Sequence, residues 1–243
     1  MIKGIYTSAS GMLPQVKKQE ITANNVANAA TTGFKKDRLF TKELTEAEKK
    51  DLKTNADWIK PMVSKVFVDH SPGVFDKTGN PLNLAINGDG FFTIQLADGQ
   101  TALTRAGAFE VNSDGVIAFP GGAVLLGDGG PIQVGTGKIT ITTAGEVSVN
   151  DFPVSKITPV TVDDLTQLKK LGNSLFLLPQ NVEVKPVRTS TIMQGYLEAS
   201  NVDVVHEMVE MIISYRTYEA NANSLRSQDD SLEKLFNRVG PRS

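Results

Sequence analysis

From Asp203 to Val239 the chain places a residue of one kind at alternating steps of four and three: Val204, Met208, Met211, Tyr215, Tyr218, Ala222, Leu225, Asp229, Leu232, Phe236 and Val239. Asp229 is the one polar member. This is a heptad seam, the row that one helix lays against another. Val205, Val209, Ile212 and Ile213 broaden it near its start, so that end is expected to touch more than one neighbour. Asp203 reads as the N-cap, since its carboxylate can accept from the free N–H groups of the first turn. Gly240-Pro241 reads as the stop. A stripe this long must be covered, so the first structural question is what covers it.

The beginning of the chain repeats the pattern. Ile2, Ile5, Ala9, Met12, Val16, Gln19, Ala23 and Val26 step three and four, with Gln19 alone polar. Pro14 lies inside this row beside Ser10-Gly11 and predicts a kink there. The helix is expected to stop near Ala29-Ala30. Two matching seams at opposite ends predict that the ends pair as a coiled-coil stem. They also predict that neither end buries its surface fully without neighbours. Asn24, Asn25 and Asn28 lie among small and apolar residues, and their amides both donate and accept. They read either as register-fixing groups between helices or as solvated residues that help end the helix.

These residues carry a resemblance. Ser8-Ala9-Ser10-Gly11-Met12 and the run from Ile21 to Lys35 resemble the N-terminal signature of bacterial flagellar rod and hook proteins. Gln194 to Asp203, then Glu207-Met208-Val209 and Arg216 to Asn221, resemble the C-terminal signature, and Gly79 to Phe92 resembles a motif between them. The resemblance implies a β domain on paired terminal helices in a structural subunit that is not an enzyme. It implies partners among other copies of the chain, neighbouring rod proteins and the flagellar export apparatus. It places the subunit in the basal-body rod, in the periplasm of a two-membrane cell. The assembly residues it implies are Ile5, Ala9, Met12, Val16, Asn24, Asn25, Val26 and Asn28 in the first helix. In the last they are Val204, Met208, Met211, Ile212, Tyr215, Tyr218, Ala222, Leu225, Leu232 and Phe236.

Between the helices the sequence changes character. Residues 34–63 are charged and poor in apolar side chains and read as a connector, with Glu43 to Lys53 as a short exposed helix. In distal-rod relatives this place carries a longer insertion rich in glycine and leucine. Its absence, with Ile5-Tyr6-Thr7 and Gly130-Pro131-Ile132, resembles the proximal-rod type. From 64 to 191 the period is two. Phe92 to Leu96, Phe109 to Val111, Val116 to Ala118, Ile139 to Thr142 and Val147 to Val149 read as strands. Turns are expected at Asp98-Gly99, Asp114-Gly115 and Ala144-Gly145, where glycine takes positive φ. The expected fold is α+β: helix 1–33, connector 34–63, an all-β domain 64–191, connector 192–202 and helix 203–243.

Composition limits the alternatives. A net charge of −2 over 243 residues gives no general pull toward nucleic acid. The absence of cysteine excludes disulfides and thiol chemistry. No apolar run reaches the roughly 20 residues that span a bilayer, so no membrane insertion is expected. Met1 to Ala9 lacks the apolar core of a cleaved signal, so an exported chain is expected to keep its N-terminus.

Sites for chemistry are few. His206 and Glu210 are one turn apart but have no third ligand, so no metal is expected. Asp69-His70-Ser71 holds triad letters in adjacent positions, and triads are made by geometry. Gly135-Thr136-Gly137-Lys138 lacks the serine or threonine and the helix of a phosphate loop. Gly88-Asp89-Gly90 reads as a tight turn, so no cofactor is expected. Lys35-Lys36 with Arg38, and Lys49-Lys50 with Lys53, read as solvated clusters or contacts to an acidic neighbour. Two other readings stand beside the proximal rod: a distal-rod or hook-type subunit, and a β domain that binds or cleaves wall glycan while the helices oligomerise it.

Overall fold

The protein's structure is a computed structural model describing residues 2–43, 61–172, 174–179 and 182–239, with side chains described in 8–40, 65–172, 174–179 and 182–235. The chain forms two compact units. Met1–Ala27, Asp37–Asp69 and Asp203–Ser243 make a helical unit, and Asn28–Lys36 with His70–Val202 make a β unit.

In the helical unit, α1 (Ile2–Ala27) packs along α2 (Val204–Val239). α1 runs unbroken through Pro14, which is buried, and ends two or three residues before the expected stop. α2 starts where the sequence places it. Asp203 Oδ1 accepts from the N–H groups of Val205 and His206 at 3.0 and 3.1 Å, which caps the first turn. The two helices run antiparallel: Asn25 meets Glu207, Lys18 pairs with Glu210, and Gly11 lies against Asn221. Beside α1 lies an antiparallel ribbon of β1 (Asp37–Glu43) and β2 (Pro61–Val68), with a register shift between Phe40 and Thr41.

The expectation of a connector over 34–63 is therefore corrected. Phe34 to Lys36 belong to the β unit and Asp37 begins a strand. Glu43 ends that strand instead of opening a helix, and 44–53 lie outside the described residues. Arg38 has an intra-unit partner in Asp69, at 3.5 Å. Charged residues on a two-stranded ribbon mask its period, because half of each strand faces water.

The β unit opens with β3 (Phe75–Lys77), β4 (Leu84–Asn87), β5 (Phe92–Gln95) and β6 (Thr101–Thr104). Next come β7 (Glu110–Val111), β8 (Ile117–Ala118), β9 (Val124–Gly127) and β10 (Gly130–Pro131). A three-stranded meander follows in β11 (Ile139–Ile141), β12 (Glu146–Val149) and β13 (Phe152–Lys156). The unit closes with β14 (Val160–Thr161), β15 (Lys169–Gly172), β16 (Leu175–Leu177), β17 (Lys185–Pro186), β18 (Thr191–Gln194) and β19 (Tyr196–Glu198).

The main sheet has the order β15-β16-β6-β5-β9-β8-β7, with β10 added on β9. The expected turns are present, with φ of +82° at Gly99, +74° at Gly115 and +85° at Gly145. A fourth turn, Asn150-Asp151, also takes positive φ at both residues and joins β12 to β13. Leu84, Ile86, Phe92, Ile94, Ile117 and Leu125 are buried at the centre of the core. The segment 192–202, expected as a second connector, is mostly sheet: β18 pairs with β4, and β19 pairs with β3.

Candidate functional site

The stripe on α2 does not face α1 as the sequence predicts. The residues turned inward are Glu207, Met211, Ser214, Tyr218, Asn221, Leu225, Gln228 and Leu232, with Ser214 fully buried and the rest half-buried. These also step by four and three. They share Met211, Tyr218, Leu225 and Leu232 with the apolar row and replace its other members with polar residues. The helix is thus rolled about its axis by about 50°, half the 100° between successive residues.

Val204, Met208 and Tyr215, expected in the seam, are exposed instead, and so is Asp229, while Ala222 is half-buried. With Val205, Val209, Ile212 and Ile213 they leave an apolar band open on the first three turns of α2, each member at least 37 % exposed. On α1, Ala9, Met12, Gln19 and Val26 are half-buried, whereas Val16 and Ala23 are exposed. The inward positions of α1 are Pro14, Ile21, Thr22 and Asn25. The side chains of Ile5 and Phe236 lie outside the described residues. A groove of about 780 Å³ between the helices is lined by Gln19, Ala23, Met211, Ile212, Tyr215, Arg216 and Glu219.

Of the three asparagines, Asn25 is the one buried between elements. Its amide donates to the Asp37 carbonyl at 2.9 Å and accepts from the Asp37 N–H at 2.9 Å. It also donates to Glu207 on α2 at 3.2 Å. One side chain therefore fixes the register of α1 against both β1 and α2, and each bond is strengthened by shielding from water. Asn24 is exposed. Asn28 belongs to the β unit, where its side chain and carbonyl accept from Thr31.

The β unit contains a cluster that sequence reasoning missed. Lys35, expected on a solvated surface, is 1 % exposed. Its ammonium donates to Glu198 Oε1 at 2.5 Å and to the Ser71 carbonyl at 2.7 Å. The other Glu198 oxygen accepts from Arg105 at 3.3 Å, and the Gly73 N–H donates to the first at 3.0 Å. Arg105 continues to the carbonyls of Ile86 and Gly88. Burial lowers the Arg105 pKa from its ordinary value, with Glu198 opposing that shift.

Neighbouring residues extend the same joint. Asn201 accepts from the Lys36 N–H and donates to Ser71, while Gln194 bridges the carbonyls of Pro81 and Ile139. Gly33, at φ +64°, lets this turn come so close that a Cβ would lie 2.3 Å from the Ala106 nitrogen. A buried charge needs a full set of partners, and here residues from all three signature segments supply them. The sequence signal is weak because a lysine, an arginine and a glutamate far apart in a chain look like ordinary surface residues.

The decoys resolve into structural contacts. His70 packs its ring on Phe91 and Phe176, with centroids at 5.6 and 5.3 Å. Glu210 pairs with Lys18, and that bond holds its carboxyl below the usual range. Among the described residues no three His, Cys, Asp or Glu side chains gather as a metal site. The geometry offers packing surfaces and a buried joint.

Three segments match known families: residues 5–35 match "Flagella basal body rod protein", 85–149 "Flagellar hook protein FlgE/F/G D1 domain", and 193–238 "Flagellar basal body rod FlgEFG protein C-terminal". The chain is 34% identical to flagellar basal-body rod protein FlgF of Caulobacter vibrioides over 243 residues, 99% of each chain. It is 32% identical to flagellar basal-body rod protein FlgG of Bacillus subtilis over 262 residues, covering 98% of this chain and 99% of that one. It is 31% identical to FlgF of Escherichia coli over 245 residues, covering 95% and 96%. With relatives of this identity matched from end to end, and the buried Lys35–Glu198 joint built from the very segments that the families match, the chain belongs to the flagellar basal-body rod protein family.

Proposed function

We propose that the chain is a structural subunit of the proximal flagellar rod and polymerises through its terminal helices, without a catalytic step. The observation that carries this is the open apolar band on α2, from Val204 to Tyr215. Monomeric proteins rarely leave so continuous a patch in water, and copies of the same chain or adjacent rod proteins supply its cover. In this reading α1 and α2 form a coiled-coil stem in the wall of a tube that transmits torque. The assembly residues are those that the sequence assigns on the two terminal helices. The chain reaches the periplasm through the flagellar export apparatus with its N-terminus retained.

Placement in the proximal part is supported by length. The alignment with the Bacillus FlgG runs over 262 residues, more than the 243 of this chain, so that relative carries residues absent here. The alignments with the two FlgF proteins run over 243 and 245.

The test is Ile212→Asp. Ile212 is 56 % exposed, so the substitution leaves the isolated fold intact by circular dichroism. It is expected to remove the chain from purified basal bodies and to abolish motility. Normal incorporation would count against the α2 band as the assembly surface. Labelled wild-type subunits are expected at the inner end of the rod in imaged basal bodies.

A further inference from the structure

The roll of α2 raises a question that assembly alone does not answer. The helix has a nearly continuous apolar row, yet it turns toward α1 a face carrying Glu207, Ser214, Asn221 and Gln228. Polar groups in a helix seam weaken the pair, because they are taken out of water and recover only part of what they lose. Here the loss is visible. Gln19 Nε2 on α1 and, further along α2, Gln228 Oε1 are buried with no hydrogen-bond partner, and Gln228 Nε2 donates only within its own helix, to Ser224 at 3.2 Å. Ser214 is satisfied only within its own helix, by donating to the Met211 carbonyl at 2.9 Å. Asn221 sits over Gly11, where an added Cβ would lie 3.2 Å from its amide nitrogen, so the helices come close at that point.

We infer that Asn221 and Gln228 are specificity determinants that weaken the pairing of α2 with α1 within one chain. They make the face toward α1 just good enough to hold inside a subunit, and so leave α2 able to take up a second copy along its open apolar band. The alternative they act against is simple. If leucine stood at 221 and 228, then Tyr218, Asn221→Leu, Leu225, Gln228→Leu and Leu232 would form an unbroken apolar seam on the inner face beyond Ser214. The pair within the chain would tighten. A subunit that satisfies its helices internally has less reason to exchange those contacts for a neighbour's, which is how polar seam residues direct partner choice. The inference rests on the proposed polymerisation and adds which residues divide contacts within a subunit from contacts between subunits.

The experiment uses the full chain with Asn221→Leu and Gln228→Leu together. Asn223→Leu is the control, because Asn223 is exposed. Leucine keeps the branched heavy-atom outline of asparagine, and both positions are only half-buried, so the added bulk has room to turn toward solvent. In the isolated protein, amide exchange over α2 is expected to slow about tenfold or more in the seam variant, since two half-buried polar side chains, one with a buried oxygen that lacks a partner, are replaced by apolar ones. It should stay at the wild-type rate in the control. In cells the seam variant is expected to enter purified basal bodies several-fold less than wild type, while the control enters normally. Exchange that is unchanged or faster in the seam variant overturns the inference. So does slower exchange with normal incorporation. Absence of the wild-type chain itself from basal bodies would instead overturn the rod reading, and the exchange arm would still judge the seam.

Discussion

The Lys35 ammonium and the Glu198 carboxylate meet at 2.5 Å across 163 residues of sequence, both shielded from water. This pair ties the segment that follows the first helix to the segment that precedes the last. Arg105 and the Gly73 N–H complete the coordination of the carboxylate. Both segments are thereby held within the β unit.

Removing one partner should be costly. Lys35→Met leaves Glu198 buried with half its ionic partners, and is expected to destabilise the β unit by about 3–5 kcal/mol. Denaturant unfolding followed by Trp-independent circular dichroism measures it. A loss below 1 kcal/mol would mean that water reaches the pair.

Gly33→Ala acts on the same joint through the backbone. The residue has φ +64°, and its Cβ would meet the Ala106 backbone at 2.3 Å. The expected loss exceeds the roughly 1 kcal/mol of a simple conformational effect, because main chain must move. The thermal midpoint of the β unit should fall, with Lys35 and Glu198 intact in sequence.

Asn25→Ala removes three bonds, two to Asp37 and one to Glu207. It leaves the Asp37 N–H without that acceptor in a place that water reaches poorly. About 1–3 kcal/mol should be lost from the helical unit. Amide exchange should speed in α1 and β1 together, while the β unit keeps its rates. Faster exchange confined to α1 would show that Asn25 does not couple the two elements.

The Lys18–Glu210 pair gives the helical unit a pH dependence. The hydrogen bond from Lys18 depresses the Glu210 pKa below its ordinary carboxylate value. A depressed carboxylate contributes stability that is present above its unfolded pKa and is lost as pH falls through the folded one. The pair is partly exposed, so solvent screens it and the contribution is at most about 1 kcal/mol. Exchange over α2 should accelerate on acidification below the usual carboxylate range, once corrected for intrinsic rates, and Glu210→Gln should remove that increment.

The isolated subunit should hold its helices loosely. With an apolar band exposed and a polar seam inside, α2 from Val204 to Val239 is expected to exchange far faster than the core strands β5 and β6 in a verified monomer. Strong protection along all of α2 in that monomer would contradict this.

Local chemistry made much of the architecture readable. Asp203 caps α2 because a carboxylate there reaches the first free N–H groups, and nothing distant is needed. The turns at Gly99, Gly115 and Gly145 follow from glycine's freedom at positive φ. The strand at Phe92–Gln95 was legible because its alternate residues are buried, whereas β13 and β17, with no buried residue, gave no such signal. The ribbon from Asp37 was not, since its charged residues conceal the period. Lys35 was misplaced because burial of a charge depends on partners that lie far along the chain.

The sequence by itself determined two amphipathic terminal helices, the N-cap of the second and a β-rich stretch between them in the chain, since period and turn chemistry act over a few residues; the Gly240-Pro241 stop lies outside the described residues. Only the tertiary structure decided which face of α2 turns inward and which lysine is buried. Those outcomes depend on competition among surfaces brought together from opposite ends of the chain, and periodicity records that a face is apolar without recording what will cover it.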